Sequence, residues 1–172
     1  MKAILYLLLF SLFTLATSCE KENPESPPYH QDVFRCKVNG QPWTFSGGGG
    51  VFGGPSSLNV QFYVKRGDLG FWSYREKEGQ ETQYLNFGID SLRVGNNPIR
   101  YWRRIFVDYA KPGNCGEYAL DTLQFHNLVL TEIDSTEKRL KGTFEMHLMD
   151  ACGEPLTITE GEFDVVPFWF EY

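Results

Sequence analysis

The chain reads as an all-β domain, an antiparallel β-sandwich or a lipocalin-like β-barrel of about nine or ten strands, and three features lead there. Past residue 32, apolar residues recur at every second position over short runs, the side-chain period of a strand. No run of useful length there shows the 3.6-residue period of a helix. The short runs are also divided by turn residues, and the 172 residues include 17 Gly and 9 Pro. With 42% hydrophobic, 16% aromatic and 22% charged residues, the composition excludes a disordered tail or a fibre. Once the first ~20 residues are set aside as a targeting segment, the length suits a single domain, residues 33–172.

The elements follow in chain order. Val33 to Val38 alternates, with Phe34, Cys36 and Val38 on one face and Arg35 and Lys37 on the other. Asn39-Gly40 supplies the positive-φ pair of a tight hairpin, and Gln41 to Phe45 returns. Pro42 cannot donate to a ladder, so this return strand lies at an edge or starts irregularly. Residues 46–57 are a Gly/Ser/Pro loop. Leu58 to Lys65, Leu69 to Glu76 and Tyr84 to Asp90 then form a meander, with Leu85, Phe87 and Ile89 inward. Ile99 to Tyr109 is aromatic and basic with ambiguous periodicity, and is read as a strand or a short helical turn. After the Lys111-Pro112-Gly113-Asn114 turn come Tyr118 to Leu120, Phe125 to Ile133 and Leu140 to Met149. In the closing strand Leu156 and Ile158 share one parity while Phe163 and Val165 share the other. One buried face can serve both pairs only if a residue is bulged between them, and Gly161 is the expected place.

The N-terminus reads as an address. Met1-Lys2 precedes the apolar run Ala3 to Leu15, which covers only ~20 Å as a helix and falls short of a bilayer core. Leu15-Ala16-Thr17-Ser18-Cys19 then resembles the bacterial lipobox, which implies cleavage after residue 18 and acylation of the Cys19 thiolate. Two or more acyl chains give lasting membrane attachment. Residues 19–32 follow as an acidic, Pro-rich tether with three prolines and four acids and almost nothing to bury. A net charge of −6 and no basic block beyond Arg100, Arg103 and Arg104 argue against nucleic acid as a partner.

Several constellations bear on chemistry. Gly48, Gly50 and Gly53 satisfy G-x-G-x-x-G without the strand and helix that a dinucleotide site requires. Glu160, Glu162 and Asp164 alternate as glycosidase carboxylates or a Ca²⁺ site would, although the bulge disturbs their alignment and a solvated face is the ordinary alternative. His30, His126 and His147 have no metal-ligand spacing, and no Gly-x-Ser-x-Gly elbow is present. No catalytic residue, metal or cofactor is therefore expected. Cys115 and Cys152 both sit in turns beside glycine, where exposed thiols are vulnerable, so they are expected to pair while Cys36 stays a buried free thiol. The aromatic surplus suggests a ligand platform formed from Trp72, Tyr74, Trp102 and Trp169, against the alternative of an aromatic core.

Three sets of motifs carry a resemblance: Phe34-Arg35-Cys36-Lys37-Val38-Asn39-Gly40-Gln41-Pro42-Trp43; Gly116-Glu117-Tyr118-Ala119-Leu120; and Leu140-Lys141-Gly142-Thr143-Phe144 with Gly161-Glu162-Phe163. Together they are similar to a family of Bacteroidetes outer-membrane lipoproteins with F-x-x-x-V-N-G-x-x-W, G-x-Y-x-L, G-T-F-x-F and G-x-F motifs. The resemblance implies a secreted all-β domain tethered to the outer membrane, and no established reaction. The expected function is a surface-anchored binding or assembly module for a glycan, a peptide or a partner protein. Two alternatives stand beside it: a small hydrolase using Glu160 and Glu162, and a lipocalin-like carrier of an apolar ligand.

Overall fold

The computed structural model describes residues 32–46, 57–77, 80–99 and 104–170. Cys19, His30, most of the tether, the Gly48 to Gly53 loop and Trp102 lie outside the described residues. The strands are β1 (Val33–Val38), β2 (Gln41–Thr44), β3 (Leu58–Tyr63), β4 (Asp68–Lys77), β5 (Gln80–Ile89), β6 (Gly95–Asn97), β7 (Phe106–Asp108), β8 (Glu117–Leu120), β9 (Asn127–Asp134), β10 (Arg139–Asp150), β11 (Pro155–Val165) and β12 (Phe168–Phe170). A 3₁₀ turn over Gly113–Gly116 leads into β8.

All twelve strands belong to one sheet. Its main path runs β12-β3-β4-β5-β7-β8-β10-β11-β1-β2, with β9 also paired to β10, and β6 to β9. Among the described residues every pair is antiparallel except β12 on β3. The strands beyond the expected nine or ten are three-residue segments, too short to show a period. Asn39 and Gly40 adopt φ of +47° and +76°, the left-handed pair that a two-residue hairpin needs. Pro42 lies in β2, the terminal strand of the path, and in the two-residue hairpin it occupies a non-hydrogen-bonded pair with Lys37.

The sheet curls so that β3–β5 face β1, β11 and β10. Phe34 lies 5.6 Å from Phe71, 6.0 Å from Phe87 and 5.4 Å from Phe144 between ring centroids. Phe71 and Phe87 stack at 4.8 Å, and Phe163 meets Phe71 at 4.9 Å. These rings fill the space that a carrier barrel would keep open, so a lipocalin-like chamber is not what the curl encloses. Cys36 is buried beside them as a free thiol, and burial pushes its pKa up to about 12.

The seam between β10 and β11 explains two of the sequence motifs. Phe163 is paired with Gly142 and Phe144 with Gly161. A Cβ at residue 142 would fall 2.5 Å from Phe163 Cζ and 2.3 Å from the Val129 carbonyl oxygen; one at residue 161 would fall 2.4 Å from the Phe144 carbonyl oxygen and 2.6 Å from its ring. Each Gly-x-Phe therefore clears room for the other's ring. The parity change in β11 is present, because two steps along β1 (Arg35 to Lys37) face three along β11 (Glu162 to Thr159). The left-handed residue, however, is Glu160 at φ +50°, not Gly161. Position 161 is glycine because of Phe144, and the turn in the backbone falls one residue earlier.

This division of labour predicts opposite outcomes for neighbouring substitutions. Gly161→Ala is expected to lower unfolding free energy by about 1–3 kcal/mol through overpacking. Glu160→Gly, which relieves a left-handed residue, should change it by no more than about 1 kcal/mol. Urea denaturation of the two variants measures both.

Candidate functional site

One end of the curled sheet opens between edge strand β2 and the ends of β4, β5 and β7. Alternation along β5 puts Gln83 on the inner face with Leu85, and its partner Asp108 in β7 lies beside it. Trp43, buried on the inner face of β2, donates from Nε1 to Gln83 Oε1 at 3.0 Å. Gln83 Nε2 in turn donates to Asp108 Oδ2 at 3.3 Å. The cleft so bordered has a volume of about 210 Å³, an apolar floor that includes Phe106, Tyr118 and Leu156, and Arg75, Asp108 and Lys111 at its rim. Such a floor with a few convergent polar groups is the usual form of a ligand site.

The Lys111 wall is held by hydrogen bonds, with a disulfide close by in the chain. Lys111 Nζ donates to the buried Tyr118 hydroxyl at 2.7 Å and also pairs with Glu154. Those hydrogen bonds raise the Lys111 pKa above its ordinary value. Four residues on from Lys111, Cys115 is disulfide-bonded to Cys152, with Cα atoms 5.3 Å apart. The bond ties the 3₁₀ turn to the β10–β11 turn, whose Asp150 Oδ1 accepts the backbone N–H of Cys152 and of Glu154.

The outer surface at the same end is aromatic. Tyr74 and Tyr84 are cross-strand partners with ring centroids 5.9 Å apart, and Tyr109 meets Tyr84 edge-on at 5.6 Å. Tyr109 is 64% exposed. Each of the three is the chain neighbour of a cleft residue, Arg75, Gln83 or Asp108, so the ladder and the cleft occupy two faces of one rim.

The expected platform is thus only partly assembled. Tyr74 belongs to the ladder. Trp72 shares its strand face but lies down along β4, since a Cβ at residue 70 would sit 2.3 Å from Trp72 Cη2. Trp169 is elsewhere: it closes the core from β12, edge-on to Phe62 at 4.9 Å, with Lys138 Nζ 6.0 Å above its ring. Tyr84 was legible from the inward parity of Leu85 and Phe87. The Trp43–Gln83–Asp108 chain was not, because it joins three strands distant in sequence.

Glu160 and Glu162 do not form an acid/base pair. Their side chains are 66% and 42% exposed, and each is bound to a cation of β1, Lys37 and Arg35 respectively, at 2.6 Å. Asp164 accepts two hydrogen bonds from Arg139 at 2.5 Å. The groove beside the glutamates, about 430 Å³, is bordered by these ion pairs with Pro42 and Arg75. Acid/base catalysis wants a desolvated cleft, whereas these carboxylates face water and a counter-ion. Among the described residues no group of three or more His, Cys, Asp or Glu is placed to hold a metal ion.

His126 has a structural role in the loop between β8 and β9. Its Nε2 lies 2.9 Å from the Asp121 carbonyl oxygen, and its Nδ1 accepts the His147 backbone N–H at 3.3 Å. Donation from Nε2 and acceptance at Nδ1 describe a neutral ring, and burial lowers its pKa below 6.5.

Two expectations follow from this geometry. The contribution of a half-buried histidine held neutral is present above its unfolded pKa and is lost as protons bind. The urea midpoint should therefore fall as pH drops through 6.5, and fall less in His126→Gln. Replacing Cys115 and Cys152 together by serine, which opens a 37-residue separation, should cost about 2–4 kcal/mol in the same measurement.

No protein-family model matches this chain, and no curated protein or solved structure matches it.

Proposed function

We propose that this chain is an outer-membrane lipoprotein, anchored through Cys19, whose β domain is a non-enzymatic binding module for a glycan. The observation that carries the reading is the Tyr74–Tyr84–Tyr109 ladder beside a cleft bordered by Arg75, Gln83 and Asp108. Sugar rings offer apolar C–H faces and equatorial hydroxyls. Tyrosine rings cover the first at little entropy cost, and amide, carboxylate and guanidinium groups bond the second. The lipobox-like Leu15 to Cys19 and the acidic tether support attachment to the envelope. The ion-paired state of Glu160 and Glu162 favours binding over hydrolysis.

Titration calorimetry of the full chain against a panel of host and dietary glycans tests this. At least one member should bind, and Tyr74→Ala and Tyr109→Ala should each weaken it by about two- to tenfold at a temperature where both variants remain folded. A flat response across the panel, or binding indifferent to both substitutions, overturns the glycan assignment.

A further inference from the structure

The tether root and the candidate site lie at opposite ends of the domain. Asp32 accepts the Val166 backbone N–H at Oδ1, 3.0 Å away, and the following residue, Val33, pairs with Asp164. Leu156, on the cleft floor, is at the far end of β11 from Val165, roughly 30 Å away at the rise of a strand. The tether therefore enters at the end that the ligand does not use.

That end exposes apolar side chains. Val166 is 42% exposed and Phe168 64% exposed, and Val64, in the β3–β4 turn, is exposed as well. The residue after Phe168 is Trp169, which strand alternation turns to the other face, against Phe62, with its indole N–H buried. Exposed valine and phenylalanine side chains are what a protein sets into the headgroup boundary of a bilayer, and Trp169 lies directly behind them.

We infer that Val166 and Phe168, with Trp169 directly behind them, form a membrane-seating surface, which rests this end of the domain on the lipid leaflet. The inference rests on the anchoring proposed above. From Cys19 to Asp32 is 13 peptide units, at most about 45 Å of chain. An acylated Cys19 holds the domain within that distance of the leaflet, so a patch at the tether root meets lipid as an intramolecular event and needs little affinity of its own. Seating by this end turns the tyrosine ladder and the cleft away from the membrane.

The test uses the full acylated chain purified from its membrane and reconstituted into vesicles of phosphatidylcholine brominated near the top of one acyl chain. The protein should float with the vesicles, and bromine should quench part of its tryptophan fluorescence. Trp169→Phe should remove most of that quenching, and Val166→Ser with Phe168→Ser should reduce it. Leu123→Ser with Phe125→Ser, a pair exposed in the β8–β9 loop, should leave it unchanged. Flotation without quenching, or quenching indifferent to residues 166, 168 and 169, overturns the seating surface and leaves the anchor standing. So does quenching lost only in the Leu123 and Phe125 variant. Failure to float, with no acyl mass on Cys19, overturns anchoring and seating together.

Discussion

The contact on which the molecule depends is the stack of phenylalanine rings that joins the two halves of one curled sheet. Phe34, Phe144 and Phe163 come from the β1–β11–β10 half, and Phe71 and Phe87 from the β4–β5 half. A sheet this long must otherwise leave one face wet, since its strands bury only alternate side chains. The rings remove that face from water and set the spacing between the halves. Two glycines make the arrangement feasible: without Gly142 and Gly161 the rings of Phe163 and Phe144 would have no place against their partner strands.

From that closure the two ends acquire different characters. Among the described residues β2 and β12 are not paired, and at the open rim the inward Trp43, Gln83 and Asp108 of β2, β5 and β7 are linked by hydrogen bonds, the Trp43 indole also packing on Phe34. The outward neighbours of the last two, together with Tyr74, place the tyrosines on the adjoining surface. At the other end the chain enters at Asp32 and the short β12 covers Phe62 with Trp169. The tyrosine-lined cleft at one end and the entry of the chain at the other are then consequences of where the strands start and stop.

Much of this was legible locally. The Asn39-Gly40 turn, the edge position of Pro42 and the inward faces of β1, β3, β5 and β10 each depend on a residue and its near neighbours, through φ, a missing donor or a period of two. The bulge in β11 was legible as a parity conflict, but its residue was not. Glycine suggested itself at 161 because it tolerates positive φ, while the fold uses that glycine for clearance and bends at Glu160. The aromatic platform was misdrawn for a similar reason. A tryptophan in a strand looks the same in sequence whether it lies flat over a glycine, as Trp72 does, or seals the core, as Trp169 does.

By itself the sequence determined the class of fold, the order of most strands, the tight turn and which side of each strand is apolar, because these follow from covalent geometry and alternation within a few residues. Tertiary structure alone decided how the sheet curls, that its interior is filled, that Lys111 and Glu154 flank a disulfide, and that Trp43, Gln83 and Asp108 meet at one rim. Those outcomes depend on contacts between strands distant along the chain, and their energies come from ring packing across the sheet. A local pattern carries no information about which distant partner will supply them.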